Sequence, residues 1–116
     1  MNKNSLNVAK IVVSAAEDKK AKNTVILEIS NLTLIADYFV ITSGDSEPQL
    51  KAISNFIMRK LKENQIRLLH YEGKPETGWI LLDYSDVIVH IFSEEKRNFY
   101  DLEYIWQEAK RVRFEN

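Results

Sequence analysis

Cysteine is absent from the chain, which removes disulfides, thiolate metal ligands and cysteine nucleophiles together. No apolar run approaches the roughly 20 residues that span a bilayer, so no membrane partner is expected. Charge of one sign is also lacking, the formal net charge being −1. Without a basic excess there is no polyelectrolyte attraction to phosphates. Little direct contact with nucleic acid is therefore expected, and a role near nucleic acid would work by gripping a protein. The polar lead Met1 to Ser5 has no signal-peptide core, so a cytoplasmic location is expected. With three glycines and two prolines, breaker signals are few and each carries weight.

What is present fits one domain over residues 1–116, long enough to bury about two thirds of its unfolded surface. Hydrophobic residues at 45% and charged residues at 28% match an ordinary globular protein rather than a disordered one. The densest signal is Gly78 to Phe92, GWILLDYSDVIVHIF. Its two branched and aromatic runs, Trp79 to Asp83 and Asp86 to Phe92, flank a polar tetrad, as a β-hairpin would. A two-residue turn at Tyr84 and Ser85 pairs Leu82 with Val87, Leu81 with Ile88, Ile80 with Val89 and Trp79 with His90. One face then carries Ile80, Leu82, Val87, Val89 and Ile91 and reads as core. The other carries Trp79, Leu81, Asp83, Asp86, Ile88, His90 and Phe92. Such a mixed apolar and acidic face suits docking to another macromolecule, or else a helix or loop of this chain covers it.

Elsewhere Leu6, Ala9, Val12, Val13 and Ala16 keep helical spacing, and Lys19, Lys20 and Lys22 suit a helix end, predicting a helix over Ser5 to Lys22. Val25, Leu27 and Ile29 alternate as a short strand; Tyr38 to Thr42 reads as a central one. Ser46, with Gln49 three residues on and Pro48 in the first turn, predicts the start of a helix from Glu47 to Asn64. Ile66 to Tyr71 reads as a strand reached by a right-handed parallel crossover, and Glu72 to Gly78 as a loop. Phe99, Leu102, Trp106 and Ala109 align on a last helix that Lys110, Arg111 and Arg113 would end. The sum is an α/β fold, a two-layer sandwich of about three helices on a mixed, about five-stranded sheet.

Chemistry is thinly supported. SGDS, Ser43 to Ser46, has the look of a phosphate-cradling turn but lacks a P-loop lysine, and helix capping explains each residue. Asp83 and Asp86 have no evident third metal ligand, and aspartates are common in hairpin turns. His70 and His90 form no ligand-spaced pair, and no serine occupies a GxSxG elbow. No cofactor, metal or catalytic set is therefore expected. Two other readings stay open: a metal-dependent nucleotidyltransferase using Ser43, Gly44, Asp83 and Asp86, and a plain module that pairs its mixed face with a second copy.

Four stretches in order resemble the Iojap family, the ribosomal silencing factors: ADYFVITSGDSEPQLKAI from Ala36, EG at Glu72, GWILLDYSDVIVHIF from Gly78 and RNFYDLEYIW from Arg97. The resemblance implies a two-layer fold akin to the nucleotidyltransferases without their catalytic aspartates. It also implies binding to the large ribosomal subunit through the ribosomal protein numbered fourteen, which blocks joining of the small subunit and represses translation. Relatives often pair, so a homodimer of the free protein is expected to compete with docking. Ser85 departs from the family's usual glycine, which weakens the case for a two-residue turn at Tyr84 and Ser85. The candidate partner-binding residues are Trp79, Leu81, Asp83, Asp86 and Ile88, bordered by Arg97 and Tyr100. Calorimetry with nucleoside triphosphates and magnesium should detect no micromolar binding; binding that an Asp83→Asn, Asp86→Asn double variant abolishes would restore the enzyme reading.

Overall fold

Ala9, Val12, Val13 and Ala16 recur at helical spacing and are all buried on α1, Ser5–Asp18. The computed structural model describes residues 5–114, so the lead before Ser5 lies outside the described residues. Helix α1 ends four residues before the expected Lys22. Lys20 turns left-handed (φ 62°), the Ala21 N–H bonds to the Ala16 carbonyl and the Lys20 N–H to the Glu17 carbonyl, a Schellman closure without glycine. Lys22 instead opens β1, Lys22–Glu28. Ile29, expected as its last inward residue, is fully buried just past the strand.

Strand β2, Tyr38–Gly44, leads into α2, Glu47–Glu63. Ser46 is the N-cap, its Oγ accepting from the Gln49 N–H at 3.2 Å. The reciprocal half of the capping box falls one residue early: Gln49 Oε1 accepts from the Asp45 N–H, not from Ser46. Leu50, Ile53, Ile57 and Leu61 then form the buried stripe, and each such side chain contributes about 2 kcal/mol by leaving water.

The strand expected at Ile66 to Tyr71 lies later, as β3, His70–Lys74. Ile66 and Leu68 do pack against the core, but the ladder with β4 begins only at His70. The expected loop from Glu72 is thus half strand, and a 3-10 turn, Pro75–Thr77, completes the link. Strands β4, Trp79–Asp83, and β5, Val87–Ser93, form the expected hairpin with its register slipped by two residues. Trp79 pairs with Phe92, Leu81 with His90 and Asp83 with Ile88. The reason lies in the turn. Asp83 Oδ1 accepts the Ser85 N–H at 2.8 Å, and Ser85 takes φ 75°, which moves the corner to Ser85 and Asp86. Because side chains alternate with period two, an even slip keeps both faces. Ile80, Leu82, Val87, Val89 and Ile91 are all buried as expected.

The last helix is broken. Helix α3, Glu94–Tyr100, stops at Asp101, which sits left-handed at φ 49°, and α4, Leu102–Ile105, is one turn long. Lys110 and Arg111 do not end a helix but belong to β6, Lys110–Val112. Phe99 leaves the expected apolar stripe for solvent, while Leu102, Trp106 and Ala109 pack on the sheet.

The sheet has six strands in the order β3-β4-β5-β2-β1-β6, and its one parallel pair is β2 with β5. Since β3 and β5 both run antiparallel to β4, β3 runs in the same sense as β2, although two strands separate them. Helices α1 and α2 cover the first face over the larger core. On the second face Leu27, Phe39, Ile41 and Phe92 form a smaller core under Leu102, Trp106 and Ala109. Gly73 is decisive at the β3 edge: at φ 91° an added Cβ would run into the Trp79 carbonyl oxygen. Gly73→Ala should cost about 2–4 kcal/mol in urea unfolding, by strain and a displaced ladder.

Candidate docking face

The registers lay out the second face row by row. Directly paired residues share a face, so Trp79 stands beside Lys74 and Phe92, Leu81 beside Glu72 and His90, and Asp83 beside His70 and Ile88. On the other side of β5, Ile41 and Phe39 continue the rows of His90 and Ile88 toward the small core. The short C-terminal helices cover that side. They leave the β3 and β4 corner open, with Leu81, Asp83 and Trp79 half-buried and His70, Glu72 and Lys74 exposed.

Aromatic rings run along the covered boundary. Tyr100 packs on Trp79 with centroids 4.5 Å apart, Trp79 stacks on Phe92 at 5.2 Å, and Phe92 lies 6.0 Å from His90 and nearly parallel to it. His90 then meets Phe39 edge-on at 4.8 Å, and Phe39 meets Trp106 at 5.4 Å. Tyr100, Trp79 and Leu81, with Glu72, Gly73 and Thr77, line a shallow hollow of about 180 Å³. His90 is the buried polar member, its Nδ1 3.2 Å from Trp79 Nε1. Burial alone lowers its pKa to about 4.

The expected site residues divide. Trp79, Leu81 and Tyr100 come together at the hollow. Asp83 does not rim Trp79: four residues apart on one strand, they stand about 13 Å from each other, with Leu81 between them. Asp86 sits at the turn, its carbonyl accepting from the Asp37 and Tyr38 N–H groups. Ile88 is half-buried against the small core. Arg97 is mostly buried rather than presented on the open corner. Its side chain is 11% exposed, grips both carboxylate oxygens of Glu103 at 3.0 and 3.1 Å and donates to Ser43 Oγ at 2.8 Å. That hydrogen bond from Arg97 is the main reason the Glu103 carboxyl is held below its usual pKa. Arg97 thus ties α3 and α4 to β2 and stabilises the segment that bears Tyr100.

Glu72 was assigned to a loop in the sequence and missed; the only hint was a polar and apolar alternation across Tyr71 that the nearby Gly73 and Pro75 obscure. Its carboxylate stands 2.6 Å from His70 Nε2.

The rival catalytic set is not assembled. Ser43 and Gly44 pair with Phe92 and Ser93, whereas Val87, next to Asp86, pairs with Tyr38. Six residues of strand, about 20 Å, separate the two halves. Among the described residues no three His, Asp or Glu side chains gather where they would hold a metal ion.

Fold and face together define a class: an α/β domain with one mixed sheet, two long helices on its first face and short ones half covering its second, which ends in an aromatic hollow beside carboxylates. The family described as ribosomal silencing factor during starvation matches residues 2–116. The ribosomal silencing factor RsfS of Bacillus subtilis is 38% identical over 106 residues, 91% of this chain and 90% of that protein. Chloroplastic protein Iojap of Arabidopsis thaliana is 33% identical over 93% of this chain and 45% of its own length. A mouse protein named for mitochondrial assembly of the ribosomal large subunit is 28% identical over 83% of this chain and 43% of its own. A crystal structure from Chromobacterium violaceum superposes with a TM-score of 0.86 at 32% identity, covering 100% of this chain and 94% of that one. The chain belongs to the ribosomal silencing factor family, which includes Iojap.

His90 generates a pH dependence. Its folded pKa, about 4, lies below the ordinary 6.5, so below pH 6.5 the unfolded chain binds a proton that the folded one does not. On this account the stability of the domain should be undiminished above pH 6.5 and fall as pH drops toward 4, by roughly 3 kcal/mol in all. Glu103, also depressed, adds loss only from its ordinary value of 4.5 downward. Urea unfolding at stepped pH checks this, and His90→Asn should flatten the slope above pH 4.5.

Proposed function

We propose that this protein binds the large ribosomal subunit through its protein numbered fourteen, keeps the small subunit from joining and so represses translation. The observation that carries the reading is the open corner of the second face. Trp79 and Leu81 on β4, with Tyr100 at the end of α3, present a hydrophobic hollow, with Glu72 at its wall and Asp83 further along β4. Binding energy concentrates in a few aromatic anchors ringed by polar groups, and this corner has that form. Carboxylates beside an apolar hollow suit the lysines and arginines of a basic ribosomal protein. Membership of a family described by ribosomal silencing, and a relative named for large-subunit assembly, support the same reading. Arg97 acts indirectly, by holding the segment that carries Tyr100. The work is recognition rather than catalysis, and a homodimer of the free protein would compete with it by covering the same hollow.

The protein should co-sediment with isolated large subunits and lower the yield of joined ribosomes. Trp79→Ala, checked for folding by thermal unfolding, should weaken that binding by at least about 2 kcal/mol, roughly thirtyfold. A protein that stays at the top of the gradient with large subunits in excess would remove this function.

A further inference from the structure

His90 is a polar ring in an apolar place. It is 4% exposed, stands between Phe39, Trp79 and Phe92, and pairs across the hairpin with Leu81. Trp79 Nε1 can only donate, so His90 Nδ1 accepts from it at 3.2 Å and the proton of the neutral imidazole sits on Nε2. That Nε2 is buried and has no hydrogen-bond partner among the described residues. A donor left unmatched in an aromatic surround weakens a fold, and a hydrocarbon side chain would avoid the penalty. The imidazole is therefore poorly explained by stability. What it does provide is an acceptor beneath the indole, set on a central strand whose backbone is paired on both sides. The other side-chain contacts of Trp79, with Phe92, Tyr100 and the small core, are apolar or ring–ring and less directional than a hydrogen bond.

We infer that His90 is a positioning residue: its Nδ1 holds the Trp79 indole in the orientation that shapes the hollow with Leu81 and Tyr100, at some expense to the stability of the domain. This rests on the docking reading above, to which it adds what sets the anchor. Substitution then has opposite effects on stability and on binding. A core residue whose only role is packing would not separate the two.

The test compares His90→Leu, which removes the acceptor, with His90→Asn, whose Oδ1 falls near the position of Nδ1. On the free ¹⁵N-labelled protein, the indole N–H signal of Trp79 is assigned by its absence in Trp79→Phe, and its exchange with water is measured. His90→Leu should melt no lower than the parent at pH 7, exchange the Trp79 indole proton at least tenfold faster, and bind large subunits about tenfold more weakly. His90→Asn should restore most of the protection and most of the binding. An unchanged indole exchange rate in His90→Leu overturns the inference, as does binding that stays at the parent level while the indole is freed. A His90→Leu protein that fails to fold overturns the stated expense to stability; His90→Gln, whose amide reaches the Nε2 position instead, then tests the positioning role, which equal protection in the Asn and Gln variants overturns. Parent protein that never binds large subunits removes the docking reading, and the indole exchange still decides whether His90 holds Trp79.

Discussion

The parallel pairing of β2 with β5 is the constraint on which the rest of the molecule depends. It sets residues 38–44 beside residues 87–93, although more than 40 positions separate them in the chain, and it is the one parallel junction in the sheet. Parallel strands cannot be joined by a tight turn, so the chain between them must leave the sheet plane. Helix α2 crosses the first face over β2, β5 and β4, which delivers β3 to the far edge and lets β4 return against it. After β5 the chain turns to the other face, where α3 packs on β5 and β2. Arg97 secures that turn by reaching back from α3 to Ser43 at the end of β2 and forward to Glu103.

An imbalance between the faces follows. Two long helices cover the first face, where Ile26, Val40, Ile80, Val89 and Ile91 meet Ile53, Ile57 and Leu61 without exposure. The second face has two helices totalling eleven residues (seven in α3, four in α4), too little to cover six strands. What they cover becomes the small core under Trp106; what they leave is the β3 and β4 corner. The aromatic series from Trp106 to Tyr100 spans the boundary, buried at Phe39, His90 and Phe92 and more open at Trp79 and Tyr100. One continuous stack thus serves as core at one end and as surface at the other. A polar ring within it is intelligible only in terms of the orientation of its exposed neighbour.

Patterning made the hairpin legible because alternation with period two survives a register slip of two, so both faces were readable while the pairing was not. The turn turned on Asp83, whose carboxylate captures a backbone N–H, and on a serine accepting a positive φ. The start of α2 was legible for the opposite reason: capping is local chemistry within four residues. The helix end at Lys20 was missed because it closes left-handed without the glycine that usually marks such a closure, whereas the expected end of α2, Asn64, falls one residue past the observed Glu63. Strand β6 offered no pattern, having three residues, two of them basic; it is a strand because β1 presents a free edge to it.

The resemblance to the family lay in four motifs in order; local composition by itself determined the helix and strand inventory in outline, the inward face of each main element and the aromatic identity of the candidate surface. Those properties depend on short-range periodicity and on residue type. Only the tertiary structure decided which parts of the second face stay open, that Glu72 rather than Asp83 shares the hollow with Trp79, that Arg97 is a largely buried clamp and that His90 accepts the indole N–H. Each of these is set by pairings between distant segments. Such pairings depend on which edge is free and which face is already covered, and neither can be read from any one stretch of the chain.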